Sequence, residues 1–322
     1  MSQEGPAKHF TLKELERHNL GRFDKITDVA SINVTYVGLA ERGALTAEAS
    51  WLIYREQTVG TETFRTWAND ATFVTVWDDR AAAFPAPAFS NDFSTQFNTS
   101  NQYASIGDVP ELDIDGTAPY SISAWVKLSV GTERIIYSKQ AGSNAAGYRL
   151  TIQGGQLRWH LSGGAAGDRI EVRSGDFTGL NDGVWHHVVM RYDGSQSASG
   201  VDFFVDDVVD TSPTLTADTL VSSTLNNVAA QISGRNGTTA NFGGQIDEVS
   251  AWGTDLSTAN ISEIYNSGTP SDLSAHTDVA NLVGWWRMGD GDTFPTLQDN
   301  SVSGNDATMT SMASTDIISD TP

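Results

Sequence analysis

The chain has no cysteine. Disulfides, thiol nucleophiles, Cys-ligated zinc and iron–sulfur centres are excluded, so a packed core has to supply the stability. Lysine is scarce, with five among 19 basic residues against 40 acidic ones, and the formal net charge is −21. A field of that sign repels phosphate backbones, so no nucleic-acid partner is expected. It reads first as a solvated acidic surface, and it favours divalent cations. No run approaches the ~18 consecutive apolar residues that cross a bilayer. The opening Met-Ser-Gln-Glu-Gly-Pro-Ala-Lys-His lacks the apolar stretch of a secretory signal. Neither a membrane span nor conventional export is expected. Nucleophile-elbow, phosphate-loop and His-Glu-x-x-His patterns are missing too. His186 and His187 are neighbours on a strand signal and face opposite sides, so they cannot hold one ion together.

What is present points to β structure. Glycine is frequent at 30 and proline modest at 9, and 39% of the 322 residues are apolar. That length suggests about two domains. Residues 1–24 read as a partly helical arm. Thr11 and Glu14 form a capping pair ahead of a partial stripe of Leu12, Leu15 and Leu20. A helix this short is marginal alone, so the arm is expected to order against a partner. Residues 25–88 read as a small β-rich docking module. Ile32, Val34 and Tyr36 alternate, Trp51 to Gln57 gives a second strand, and Thr63 to Trp67 a third. Asp78 and Asp79 read as turn caps paired with Arg80. Pro85-Ala-Pro-Ala-Phe is a natural boundary.

From Phe93 onward, strand and turn signals alternate. Tyr120 to Leu128 and Ile135 to Lys139 are strand runs. Leu150 to Ile152 and Leu157 to Leu161 flank Gly154-Gly155 as a hairpin. His186 to Tyr192 is a β-rich run closed by Asp193-Gly194, a hairpin dipeptide. Val201, Phe203 and Val205 alternate with Asp202, Phe204 and Asp206, which predicts one apolar face. Ile246 and Val249 flank Asp247 and Glu248. Leu256 to Asn266 predicts a short helix capped by Ser257, with Ile261, Ile264 and Tyr265 as its buried face.

The order Trp185-His-His-Val-Val-Met-Arg-Tyr-Asp-Gly, Val201-Asp-Phe-Phe-Val-Asp-Asp, Gly244-Gln-Ile-Asp-Glu-Val-Ser-Ala-Trp resembles the core of the laminin-G-like (concanavalin A-like lectin/glucanase) jelly roll. Tyr120-Ser-Ile-Ser-Ala-Trp-Val-Lys fits that family's early strand. Leu282-Val-Gly-Trp-Trp and Asp299-Asn-Ser-Val-Ser-Gly-Asn-Asp-Ala-Thr resemble its closing segments. Asp207 stands where the family's hairpin glycine usually sits, which loosens the tight turn expected there, and Ala307 replaces another glycine. The Trp-rich pattern of residues 25–85 resembles small modules at the head of tailed-phage fibre and decoration proteins. The fold implied is all-β: a two-sheet antiparallel jelly-roll sandwich over 89–315, with a tail at 316–322, preceded by the β module and the helical arm.

The resemblance also shapes the chemistry expected. Glu111, Asp113 and Asp115 have the i, i+2, i+4 spacing by which glucanases of this fold line a cleft. Here Val109-Pro110 and Gly116 place them in an irregular lead-in, so loop scaffolding is expected and no catalytic residue is assigned. Sandwiches of this type often hold one Ca²⁺ on the convex side. By that resemblance Asp247 is the leading ligand and Asn98 a second, weaker one, with Asp299, Asn305 and Asp306 as further oxygen donors. The alternative for Asp247 is to accept backbone N–H bonds within the sheet. Trp159 and Tyr148 could serve a sugar site, but core packing is the commoner fate of such residues. The expected function is a non-enzymatic phage virion protein, made in the host cytoplasm and homo-oligomeric. It binds other virion proteins through residues 1–88 and projects a lectin-like domain toward host glycans. A glycoside hydrolase or a free carbohydrate-binding protein is the alternative.

Overall fold

The computed structural model describes residues 23–31, 34–41, 52–59 and 62–67 as strands, and residues 89–98, 101–236 and 240–322 in full. The helical arm and Asp78, Asp79 and Arg80 lie outside the described residues. Contacts group the chain into two units, residues 1–88 and 89–322. In the first unit, β1 (Phe23–Ser31), β2 (Val34–Glu41), β3 (Leu52–Val59) and β4 (Glu62–Trp67) form an antiparallel meander in that order. The sequence does not announce β1. Its apolar residues Phe23, Ile26 and Val29 recur every third position, and only its register with β2, from Phe23 opposite Glu41 to Ser31 opposite Val34, makes it a strand.

The second unit is the sandwich. One sheet has nine strands, in the order β15 (Thr214–Asp218), β11 (Arg169–Arg173), β10 (Gln156–Gly163), β9 (Ala146–Gln153), β8 (Arg134–Gln140), β16 (Ala230–Ile232), β6 (Tyr103–Gly107), β20 (Ala307–Thr310) and β19 (Thr296–Leu297). The other runs β14 (Val208–Val209), β13 (Val201–Val205), β12 (Trp185–Tyr192), β7 (Tyr120–Lys127), β17 (Gln245–Trp252), β5 (Ser94–Gln96) and β21 (Ile317–Ile318), with β18 (Leu282–Trp286) paired to β17. All described pairings are antiparallel.

Strand alternation builds the main core. Tyr148, Leu150 and Ile152 of β9 and Leu157, Trp159 and Leu161 of β10 point between the sheets, where Ile122, Val188, Met190, Phe203, Ile246 and Trp286 meet them. Tyr148 sits 5.6 Å from Trp159 and 6.1 Å from Tyr137, ring centre to ring centre. Trp159 and Tyr148 are therefore core residues and offer no sugar platform.

A second core lies on the outer side of the eight-stranded sheet. Helix α1 (Thr258–Tyr265) lays Ile261 and Ile264 against Val189, Phe204, Trp252, Leu273 and Trp285. Phe204 was expected on a polar face, and it serves this second core instead. Tyr265 is only half-buried, stacked 5.8 Å from Trp125. Ser257 caps α1 by accepting from the Asn260 N–H, and Asn266 closes it in the left-handed region at φ 46°. Ser257→Ala is expected to cost about 1 kcal/mol, read as a lower urea midpoint at unchanged slope.

Two turns differ from expectation. Asp193-Gly194 does not close a two-residue hairpin. Tyr192 pairs with Val201, and Asp193 starts a longer loop in which its carboxylate accepts from Ser195 N–H. Asp206 and Asp207, by contrast, do form the tight β13–β14 turn, at φ 49° and 66°. Aspartate tolerates the left-handed region. Asp206 is also held by the His187 N–H and the His186 ring, and Asp207 accepts from Ser262 Oγ.

Candidate functional site

The two outer faces of the sandwich differ in kind. That of the eight-stranded sheet is sealed by the second core. That of the nine-stranded sheet is polar. Because Tyr148, Leu150, Trp159 and Leu161 point inward, their neighbours Arg149, Thr151, Arg158 and His160 point outward. Register aligns them in rows. One row runs Glu171, His160, Arg149, Ser138, Gln231, Ser105 and Thr308 across seven strands. Beside it run Arg173, Arg158 and Thr151.

Arginine dominates this face. Glu171 is buried among three guanidinium groups. Arg158 donates to it, Arg169 Nε lies 3.0 Å away and Arg173 Nη2 3.8 Å away. Burial pushes the Glu171 carboxyl up, but Arg158 and Arg169 together hold it below the usual carboxylate range. Arg149 donates to Gln140 Oε1 at 2.6 Å and to His160 Nδ1 at 3.0 Å, and Nε sits 3.4 Å from Glu133. Burial, then the charges of Arg149, Arg169, Arg158 and Arg235, pushes His160 down to about 2. The imidazole is therefore neutral. Nδ1 accepts from Arg149, and Nε2 carries the hydrogen. Several buried polar atoms of this face have no hydrogen-bond partner: Arg158 Nε, Arg173 Nε, Arg235 Nη1, Thr151 Oγ1 and Glu133 Oε1. Periodicity does predict which residues of β9 and β10 turn outward. Their meeting with Arg169, Arg173 and Arg235 depends on the strand order, which sets β11 beside β10, and on the segment that follows β16.

Asp247 lies elsewhere, on β17 at a bulge where Glu248 adopts φ 46°. The bulge interrupts alternation, so Ile246 and Val249 both reach the main core while Asp247 and Glu248 are buried beside them. Asp247 accepts from Asn91 Nδ2 at 2.8 Å and from the Glu248 N–H at 2.9 Å. Burial and the neighbouring Glu248 raise its pKa well above the ordinary value. Glu248 is raised to about 7 by burial, against Arg287 and the Trp285 indole, which both hydrogen-bond to it. Asp290 accepts from the Asp92 and Phe93 N–H groups.

This structure does not bring Asn98 to Asp247. Thr95 faces Ile246, Gln96 faces Gln245 and Phe97 N donates to Gly244 O, so Asn98 runs away from Asp247 and bonds Asp316. Asp299 accepts from three N–H groups, of Trp285, Ser301 and Asn305, and Asp306 accepts from Asp299 N. Those oxygens hold the closing loop. Among the described residues no three His, Asp or Glu side chains converge as metal ligands. Beside Asp247, the buried Asn91 Oδ1 lacks a hydrogen-bond partner, and no motif around Asn91 picks it out. A cation here would take the Asp247 and Asn91 side-chain oxygens, donors of the hard type that Ca²⁺ prefers.

The Glu111 triplet does not line a cleft. Pro110–Leu112 is a 3-10 turn, so the alternation needed to align the three carboxylates is absent. Glu111 is exposed, Asp113 pairs with the buried Lys139 at 2.8 Å, and Asp115 accepts from Gly116, Ser223 and Thr224.

Comparison with known proteins places a family match over residues 98–262, to the concanavalin A-like lectin/glucanases superfamily. No curated protein matches the chain. Among solved structures, the CBM40 domain of the Ruminococcus gnavus IT-sialidase is 14% identical, over 51% of this chain and 91% of that one, at a TM-score of 0.38. Domains LG4-5 of the mouse laminin alpha1 chain are 12% identical, over 72% and 80%, at 0.38. The native heptameric SAP-like pentraxin from Limulus polyphemus is 12% identical, over 55% and 83%, at 0.37.

Proposed function

Residues 98–262 make the chain a member of the concanavalin A-like lectin/glucanases superfamily, and from that premise we propose that it is a non-enzymatic adhesion protein whose jelly roll contacts saccharides. The observation that carries this reading is the contrast between the two outer faces. One is closed by apolar packing. The other is lined by charged and polar side chains, several of whose buried atoms lack a hydrogen-bond partner, a lining of the kind that suits hydroxyl-rich ligands. A glycosidase would need two carboxyl groups flanking one bond. The carboxylates of this face, Glu133 and Glu171, are instead tied to Arg149, Arg158 and Arg169, which disfavours a proton-donating role. A glycan array tests the reading: saturable binding by the intact chain, without release of shortened sugar, is expected. A chain that binds nothing on the array, or that cleaves what it binds, would sink it.

The setting we propose is a phage particle. Residues 1–88 would dock on other virion proteins as part of a capsid decoration or fibre, with the protein acting as a homo-oligomer. The support is the Trp-rich resemblance of residues 25–85 and their grouping as a contact unit of their own. Intact chain should co-sediment with assembled particles, and chain lacking residues 1–88 should not. Intact chain left in the supernatant would count against the setting and leave the saccharide reading standing.

We also propose a structural Ca²⁺ beside Asp247 and Asn91. Adding Ca²⁺ should raise the melting temperature of the intact chain by about 2–4 °C, near 1 kcal/mol for a unit of this size. Asp247→Asn should remove that response. An unchanged melting temperature in the unsubstituted protein would dispose of the cation.

A further inference from the structure

We propose that the outer face of the nine-stranded sheet selects saccharides that carry a carboxylate, seated on Arg158, Arg173 and Arg235 beside His160 and Thr151. This deepens the saccharide reading above and rests on it.

The first argument is charge. The chain carries 40 acidic and 19 basic residues. Against that background Arg149, Arg158, Arg169, Arg173 and Arg235 gather at one face, where among the described residues Glu133 pairs with Arg149 and Glu171 with Arg158, Arg169 and Arg173. Three guanidinium groups share Glu171 alone, so this corner is short of negative charge. At physiological salt the screening length is about 8 Å. A ligand on this face therefore senses these arginines more than the acidic surface beyond.

The second argument is hydrogen bonding. Arg235 is only 8% exposed, and its Nη1 has no hydrogen-bond partner. Arg158 Nε and Arg173 Nε are likewise buried without one. Leaving buried donors unmet is costly, and guanidinium forks match carboxylates in a planar, two-bond geometry. The neutral His160 cannot supply a competing charge. Its Nε2–H is a donor of the type that sugar hydroxyls meet, and Thr151 Oγ1 is an acceptor without a hydrogen-bond partner. A carboxylate set among hydroxyls satisfies both kinds of group at once. A neutral sugar would meet the guanidinium donors only through hydroxyl oxygens, without the charge or the planar two-bond match, and a bare anion would leave the acceptor unmet.

The test is calorimetric titration of the intact chain with oligosaccharides ending in galacturonate, glucuronate or sialic acid. Each is compared with its neutral methyl ester and with a sulfated oligosaccharide of similar length. At least one acid should bind tenfold or more tighter than its ester. Arg173→Gln and Arg235→Gln should each weaken that binding at least fivefold with the melting temperature held. Arg191→Gln, on the other sheet and paired with Asp202, should not weaken it. Equal binding of acids and esters, or wild-type affinity in both face variants, overturns the inference while the adhesion reading survives. Binding of the sulfated probe alone overturns the carboxylate class. Silence on every probe and on the neutral array overturns both readings.

Discussion

Arg287→Met lowers the free energy of unfolding by about 3–5 kcal/mol, because it strands buried charge that nothing else can meet. Arg287 Nε lies 3.0 Å from Glu248 Oε1, and Nη2 lies 3.8 Å from Asp290 Oδ2 and donates to Ser90 O. The guanidinium also lies over the Phe89 ring, 4.3 Å from its centre. Methionine retains much of that packing and removes the charge. Glu248 then keeps only the Trp285 indole, at 2.6 Å, with Asp247 next to it in the chain and Asp290 near. The sign with pH follows from the direction of the shift. Glu248 is raised by burial even with Arg287 present, to about 7. Removing Arg287 raises it further. A carboxyl raised in the folded state contributes its full stability below the unfolded pKa and loses it as pH rises through the folded one. The deficit of the variant should therefore be larger at pH 8 than at pH 5. Urea unfolding at both values reads this directly. Adding Glu248→Gln to the variant should recover part of the loss, since the two residues are coupled. A single variant within about 1 kcal/mol of wild type at pH 8 would mean that Glu248 is not held by this pair.

How much of this was legible beforehand depends on the range of the interactions. Where alternation and turn chemistry act locally, the sequence is readable: the Gly154-Gly155 hairpin, the run Tyr120 to Lys127 and the Ser257 cap are all where their patterns place them. The resemblance added what local patterns cannot, the order of the strands in a jelly roll. What stayed hidden depends on pairing across the sheet. Alternation alone turns Phe204 away from the main core, and nothing in its own strand reveals the helix that covers it. The bulge at Glu248 could not be read from Ile246-Asp-Glu-Val249, and it is the bulge that buries both carboxylates. The arginine face is hidden for the same reason. Arg149, Arg158 and Arg173 are spread over 25 positions and become neighbours only when β9, β10 and β11 pair in register. The resemblance pairs Asn98 with Asp247, and the β5–β17 register carries the two apart.

The buried histidines of the sandwich give the second large effect, a loss of stability in acid. His187 is fully buried on β12. It lies 5.1 Å from the Trp125 ring and 5.8 Å from Tyr265, with Nε2 2.8 Å from Ser123 Oγ and Nδ1 without a partner. Burial pushes it down to about 4, only partly offset by Asp206. In the unfolded chain a histidine titrates near 6.5. Between those values the unfolded state binds the proton and the folded state does not, so stability falls as pH is lowered through the window. For one group, going from pH 7.5 to 5 removes about 2 kcal/mol. His160 acts in the same direction, whereas Glu248 and Asp292, both raised by burial, act in the opposite one. The whole-protein pH curve therefore mixes the two, and a difference between variants isolates the histidine. His187→Gln retains a hydrogen-bonding group for Ser123 and does not titrate. It should be less stable than wild type at pH 7.5, by about 1–2 kcal/mol for imperfect packing. That gap should close, and then reverse, as pH falls to 5, because only the wild type loses stability to this proton. Parallel urea curves for the two proteins from pH 7.5 to 5 would show that His187 takes up its proton as readily in the folded protein as in the unfolded chain, and would rule out a neutral imidazole sealed beneath α1.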